Sequence, residues 1–231
     1  MPKSITVIIP VYNEDEKVLL RTVRLLKCLG FDTLVIDDGS SIPVDKDIEM
    51  FAKVIRRKKN KGYGNAIKAG IRSAKSEYIG LIDADYQYDP LDLKKMWDSI
   101  TNNDDMVIGA RVCPQGGIRR NIGRITLSMA ASLLCLRLIP DLNSGVRIFK
   151  RRLAKDYASI LCDTFSYSSS LTMSFILDGF KTRWMPVGFY PRQGSKSTVK
   201  MVHHGLITLY HLLYITIGLR TRGLRGWLRQ R

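Results

Sequence analysis

Residues 78–90, Tyr78-Ile79-Gly80-Leu81-Ile82-Asp83-Ala84-Asp85-Tyr86-Gln87-Tyr88-Asp89-Pro90, decide how this chain is read. The apolar run Tyr78–Ile82 predicts a short buried strand bounded by turn signals. Two carboxylates stand one residue apart where it gives out. Strand side chains alternate faces, so Asp83 and Asp85 point one way and Ala84 the other. With the amide of Gln87, such a pair is a seat for a hard divalent cation, Mg²⁺ or Mn²⁺, which takes oxygen ligands and shares them with phosphates. Taken alone, the stretch also reads as a solvated turn. Asp89 and Pro90 read as the N-cap and first residue of a following helix.

The flanking sequence decides between these readings. Residues 4–10 (SITVIIP) are β-branched and predict a buried first strand. Helical periodicity over 15–29 ends at Gly30. Strands follow at 33–37, 53–57, 77–83 and 105–110. Helices are expected over about 65–75 and 90–101. Strand alternating with helix at this spacing predicts an α/β fold with a mostly parallel sheet and helices on both faces. Ligands of such sheets bind at the carboxyl ends of the strands. The polar clusters at 12–14, 37–40, 83–87 and 109–111 all fall at such ends, which favours a site over surface decoration.

At 231 residues the chain suits one well-cored domain. The opening residues Met1–Ser4 run straight into a strand and do not read as a signal peptide. Cys28, Cys113, Cys135 and Cys162 show no metal-ligand spacing and read as reduced thiols of a cytosolic protein. The net charge of +16 is uneven. Residues 111–152 hold nine Lys/Arg against the single acid Asp141, and 192–231 hold eight with no acid. The remaining residues balance. Both basic segments adjoin the most apolar helical stretches, which points to an anionic membrane surface or lipid phosphate rather than nucleic acid.

Residues 123–139 (GRITLSMAASLLCLRLI) predict an apolar helix with one polar stripe, Arg124, Ser128 and Ser132. Its apolar face is wide for a domain of this size, and a position in the membrane interface is expected. Residues 205–219 are uncharged but shorter than the roughly 20 residues that span a bilayer. Tyr210 and Tyr214 among His203, His204 and His211 suggest an interfacial belt rather than a metal site. The tail Arg220–Arg231 reads as a headgroup anchor or a disordered basic tail. The expected division is a catalytic unit over 1–200, with an interface helix at about 122–139, and a second interface helix with a basic tail over 201–231.

With these residues in place, the chain resembles family 2 glycosyltransferases of the GT-A nucleotide-diphospho-sugar transferase fold, within them the dolichyl-phosphate mannosyltransferase and polyprenyl-phosphate glycosyltransferase branch. The resemblance rests on Pro10-Val11-Tyr12-Asn13-Glu14, Asp37-Asp38-Gly39-Ser40, Asn60-Lys61-Gly62, Asp83-Ala84-Asp85-Tyr86-Gln87, Gly109-Ala110-Arg111 and Asp141-Leu142-Asn143-Ser144-Gly145-Val146-Arg147, six motifs in family order across residues 4–200. It implies a nucleotide-sugar site of Pro10, Tyr12, Glu14, Asp37, Asp38, Gly62, Asp83, Ala84, Asp85 and Arg111, the first four of them at the base and ribose. It implies metal ligation by Asp83, Asp85 and Gln87, and catalytic roles for Asp85 and Arg111. Arg124 and Ser128, with Arg192, Ser195 and Lys196, would face the lipid phosphate. In the last group the text Arg192-Gln193-Gly194-Ser195-Lys196 is two residues shorter than the branch's usual R-x-x-G-x-S-K. Asp141 is the one candidate general base, the role a sugar-hydroxyl acceptor would require. The activity implied is transfer of a hexose to a polyprenyl or dolichyl phosphate at the cytosolic membrane face, with room for a separate membrane-anchoring subunit. A family member acting on a saccharide or lipid-linked sugar hydroxyl is the alternative. A nucleotidyltransferase would open on a glycine-rich, basic phosphate loop, which Val11–Glu14 is not. A basic membrane adaptor would give Asp83, Asp85 and Gln87 no reason to share a sheet edge with Arg111.

Overall fold

The computed structural model describes residues 3–112, 118–193 and 201–228. Its seven strands are β1 (Ile5–Val11), β2 (Asp32–Asp37), β3 (Lys53–Arg56), β4 (Tyr78–Leu81), β5 (Met106–Arg111), β6 (Arg147–Lys150) and β7 (Thr182–Val187). The helices are α1 (Glu16–Cys28), α2 (Lys46–Glu49), α3 (Tyr63–Ser73), α4 (Pro90–Asp98), α5 (Ile118–Cys135), α6 (Arg151–Asp156), α7 (Tyr167–Leu177) and α8 (Met201–Leu228). The strands form one sheet in the order β3-β2-β1-β4-β6-β5-β7. All pairings are parallel except those of β6, which runs antiparallel between β4 and β5. The mostly parallel α/β sheet expected from the alternation is thus present, with one reversed strand inserted.

Period-2 alternation builds a core on each face. Ile8, Ile36, Ile79 and Leu81 face Ile67 and Ile71 of α3, Leu171 and Phe175 of α7, and Leu212 and Ile215 of α8. Val7, Ile9, Val35 and Val107 face Leu19, Val23 and Leu26 of α1 and Leu93 and Met96 of α4. Asp89 caps α4 by accepting from Leu91 N, with Pro90 in the first turn, as their order predicts.

The region after residue 112 departs more from expectation. α7 is buried on every side and alternates serine with apolar residues, so it carries no amphipathic period to announce it. α8 extends well beyond 205–219 at both ends. The segment read as a basic tail is helical to Leu228, and Arg229–Arg231 lie outside the described residues. Among the described residues no helix is long and apolar enough to cross a membrane. The described cysteines, Cys28, Cys135 and Cys162, are free thiols, and Cys113 lies outside the description.

The polar stripe of α5 faces inward, not toward lipid. Ser128 Oγ accepts from Leu142 N (3.3 Å), Ser132 Oγ accepts from Ile139 N (3.0 Å), and Arg124 Nη1 stands 3.7 Å from Asp141 Oδ2. The stripe satisfies backbone donors of the α5–β6 connection, which would otherwise be buried unpaired. Leu127, Ala131 and Leu134 fill the core, leaving Ile122, Ile125, Met129 and Leu133 exposed on the remaining side. α8 packs against α5 and α7 and exposes Leu206, Tyr210, Leu213 and Ile217.

Candidate active site

The carboxyl ends of β1, β2, β4 and β5 deliver Tyr12–Glu14, Asp37–Ser40, Asp83–Gln87 and Arg111 to one rim. Two non-glycine residues there sit at positive φ, Asn13 (52°) and Tyr86 (57°). The Asn13 side chain accepts from Ser41 N at 2.8 Å, which holds the β1 turn onto the β2 turn. Tyr86 packs beneath the Arg21 guanidinium, 4.1 Å from its ring centroid. The left-handed residue bends the chain so that Asp85 Oδ1 accepts from Gln87 N at 3.2 Å.

Asp85 is almost completely buried, and its carboxyl is pushed up to about 7, first by burial and next by the charge of Asp83, with Arg192 opposing. Burial also raises the Asp83 carboxyl, while a hydrogen bond from Tyr63 and the charges of Arg147 and Arg111 pull it down. Both carboxyls are thus raised, chiefly by burial.

Residues 187–193 run beside this pair. Tyr190 N donates to Gln87 O (2.9 Å), Gln193 N donates to Asp85 O (3.1 Å), and Gln87 Nε2 donates to Tyr190 O (3.4 Å). The segment delivers Arg192, whose Nη2 lies 2.7 and 2.8 Å from the two carboxylate oxygens of Glu14 and whose Nη1 lies 3.2 Å from Asp85 Oδ2. A guanidinium therefore lies between Glu14 and Asp85, evidence in the structure itself that this rim accepts positive charge.

A second cluster stands on β5 and α5. Arg111 Nε and Nη2 clasp Asp141 in a bidentate pair at 2.6 and 2.7 Å, and Asp141 is fully buried. Arg111 also lies 5.1 Å from the Phe189 ring centroid. Between the clusters, Gly145 N donates to Tyr88 Oη at 3.0 Å.

The expected residues are thus brought together in part. Glu14, Asp85 and Arg192 touch, with Asp83 beside them, and Arg111, Arg124 and Asp141 form the neighbouring cluster. Pro10 is buried within β1, half-exposed Tyr12 stands at the rim, and Ala84 is buried away from it. Asp37 Oδ1 accepts from Ser40 N at 2.8 Å, with Arg56 3.7 Å from its other oxygen. Several of the expected residues also hold structural contacts. Asp38 is occupied by Arg57 (2.8 Å) and by Lys61 N and Gly62 N (3.0 and 2.8 Å), so it shapes the glycine turn. Gln87 donates its amide nitrogen to Tyr190 O, while the amide oxygen is the atom a cation would take. Ser128 supports the 139–142 connection by accepting from Leu142 N. Asp141 has both oxygens engaged by Arg111. Ser195 and Lys196 lie outside the described residues.

Three contributors had no assigned role. Tyr63 donates to Asp83 Oδ1 at 2.7 Å. Tyr88 supports Gly145. Arg147 is completely buried, donating to Ser168 O (2.7 Å), Thr172 Oγ1 (3.0 Å) and Ser144 O. Only the last sits in a recognisable motif; the two tyrosines occupy positions whose spacing gives no hint of their partners.

The donor set fits a divalent cation shared with a ligand rather than a closed protein cage. Asp83 and Asp85 supply hard oxygens, and among the described residues no group of three or more His, Cys, Asp or Glu could hold a metal by itself.

A family model described as glycosyl transferase family 2 matches residues 6–165. The chain is 30% identical over 225 residues to an uncharacterized protein of Methanocaldococcus jannaschii, covering 91% of each. It is 29% identical over 206 residues to the polyprenol monophosphomannose synthase of Mycolicibacterium smegmatis, covering 81% of this chain and 77% of the relative. In fold it is similar to the crystal structure of glucosyl-3-phosphoglycerate synthase from Mycobacterium tuberculosis in complex with Mn²⁺, UDP and glucosyl-3-phosphoglycerate. The TM-score is 0.75 over 93% of this chain and 80% of that one, at 16% identity.

Proposed function

Since the chain belongs to glycosyl transferase family 2, and is therefore a glycosyltransferase, we propose that it transfers a hexose from a nucleotide-sugar of the GDP-mannose or UDP-glucose type to a polyprenyl or dolichyl phosphate. The reaction would take place at the cytosolic face of a membrane. The observation that carries this reading is the position of the second arginine cluster. Arg111 and Arg124 converge on Asp141 at the foot of α5, whose outward side is a row of exposed apolar residues continued by α8. Cations at the edge of an apolar helix pair suit a phosphate carried on a hydrocarbon chain. Arg124 has donor capacity to spare, because its buried Nε has no hydrogen-bond partner among the described residues.

A Mg²⁺ or Mn²⁺ ion on Asp85 and Asp83 would supply neutralisation of the donor diphosphate. Asp85 would hold that charge against the rim while Arg111 stabilises the leaving diphosphate from the β5 side. Arg192, already between Glu14 and Asp85, would serve the phosphate end with Ser195 and Lys196. Pro10, Tyr12 and Asp37 would border the base and ribose. A lipid phosphate, with its second pKa about 6, is mostly dianionic at neutral pH and needs orientation more than deprotonation. That matches an Asp141 whose oxygens are engaged. In-line attack would invert the anomeric centre. The exposed sides of α5 and α8 would rest in the interface, with or without a separate anchoring subunit.

The test is transfer from labelled GDP-mannose, UDP-glucose and UDP-N-acetylglucosamine to a short polyprenyl phosphate, with Mn²⁺, Mg²⁺ or EDTA. An organic-extractable product that EDTA abolishes is expected. Donor turnover that yields water-soluble product alone would move the acceptor to a sugar hydroxyl.

A further inference from the structure

The glycine turn before α3 joins two parts of the rim that lie on different strands. Lys61 N and Gly62 N donate to Asp38 Oδ2, and the next residue, Tyr63, donates its phenol to Asp83 Oδ1 at 2.7 Å. The turn has little room to shift. Gly62 sits at φ +99°, and a Cβ there would meet Asp163 O at 2.7 Å. The Tyr63 ring is stacked on Phe165, with centroids 5.8 Å apart and planes 18° from parallel. From the opposite side Asp83 is bounded by Gly145, where a Cβ would stand 1.8 Å from Oδ2. Gly145 is in turn fixed through its N–H to Tyr88 Oη. One oxygen of Asp83 is therefore held by a phenol and the other by a bare backbone. Through residues 61–63 its position is tied to the Asp38 carboxylate just past the end of β2.

We propose that Tyr63 is a positioning residue that couples nucleotide binding to cation binding. Its hydroxyl fixes the Asp83 carboxylate where Asp83 and Asp85 can share a divalent ion with a nucleoside diphosphate seated against β1 and β2. The inference rests on the donor site proposed above and adds the residue linking its two halves. A charge-assisted hydrogen bond to a buried carboxylate is strong enough, and directional enough, for such a task. The coupling it supports is reciprocal, so it is readable from the nucleotide side.

The experiment titrates UDP and GDP into the full chain by calorimetry, each in Mn²⁺ and in EDTA, for wild type, Tyr63→Phe and Phe165→Leu. In wild type Mn²⁺ tightens one of the nucleotides. Tyr63→Phe is expected to leave its EDTA affinity within about twofold and to cut the Mn²⁺ enhancement about tenfold, the size of one hydrogen bond to a charged group. Phe165→Leu, which keeps the hydroxyl, should retain the enhancement within about twofold. An undiminished enhancement in Tyr63→Phe overturns the proposal. So does an equal loss in Phe165→Leu, or a loss of the same size in EDTA, either of which would make Tyr63 a packing residue. If Mn²⁺ tightens neither nucleotide in wild type, the donor-site reading itself fails and takes the proposal with it.

Discussion

The rim carries two arginine–carboxylate clusters that are chemically alike and electrostatically opposite. Around Asp141 positive charge is in excess: one buried carboxylate faces a bidentate Arg111 and Arg124 within 3.7 Å. Around Asp85 negative charge is in excess: Glu14 and Asp85 share Arg192, Asp83 stands beside them, and Asp85 is pushed up to about 7 by burial and by its neighbour's charge. The first gathers two guanidinium groups on one carboxylate, the second gathers carboxylates around one guanidinium. The difference follows from stoichiometry: in a low-dielectric rim an excess of either sign favours a ligand of the other.

The sharpest way to break that contrast is Asp85→Asn. Metal-assisted charge neutralisation contributes several kcal/mol, so transfer should fall on the order of 10³-fold. Near-wild-type turnover would remove Asp85 from the metal site. Next comes Asp141→Asn, which uncouples a buried ion pair. A loss of about 3 kcal/mol is expected, roughly 6–12 °C in Tm by thermal melting, and unchanged melting would deny the cluster its structural role.

Arg124→Ala tests whether the arginine-rich cluster also serves the acceptor. KM for polyprenyl phosphate should rise about tenfold with KM for the donor unchanged, the scale of one hydrogen bond to a charged group. An equal rise in both would place Arg124 away from the lipid phosphate. The smallest effect concerns pH. Because folding raises the Asp85 pKa, the native state binds a proton the unfolded chain has released, so stability falls as pH rises from about 4 to about 7 and levels beyond. Without metal, Asp85→Asn should therefore melt above wild type at pH 8 by a few degrees, with the gap narrowing toward pH 5. A gap independent of pH would mean that Asp85 is not the group being relieved.

These clusters also separate what was legible in the residues from what was not. β1 to β5, their helices and the polar rim follow from apolar periodicity, turn residues and the order of motifs, because each depends on neighbours within about a dozen positions. Asp83, Asp85 and Arg111 belong to the rim because strand ends in an α/β sheet converge, whereas Arg192 is expected there only from the family resemblance. The sequence could not show that β6 enters antiparallel, that α7 is helical while buried on every side, or that the stripe at Arg124, Ser128 and Ser132 looks inward. A helix displays its faces in its periodicity but not which neighbour each face will meet. Nor could it show that Tyr63 reaches Asp83 or that Asp141 is saturated by Arg111. Those facts depend on contacts between residues 20 and 30 positions apart, distances that only the packed sheet brings within hydrogen-bonding range.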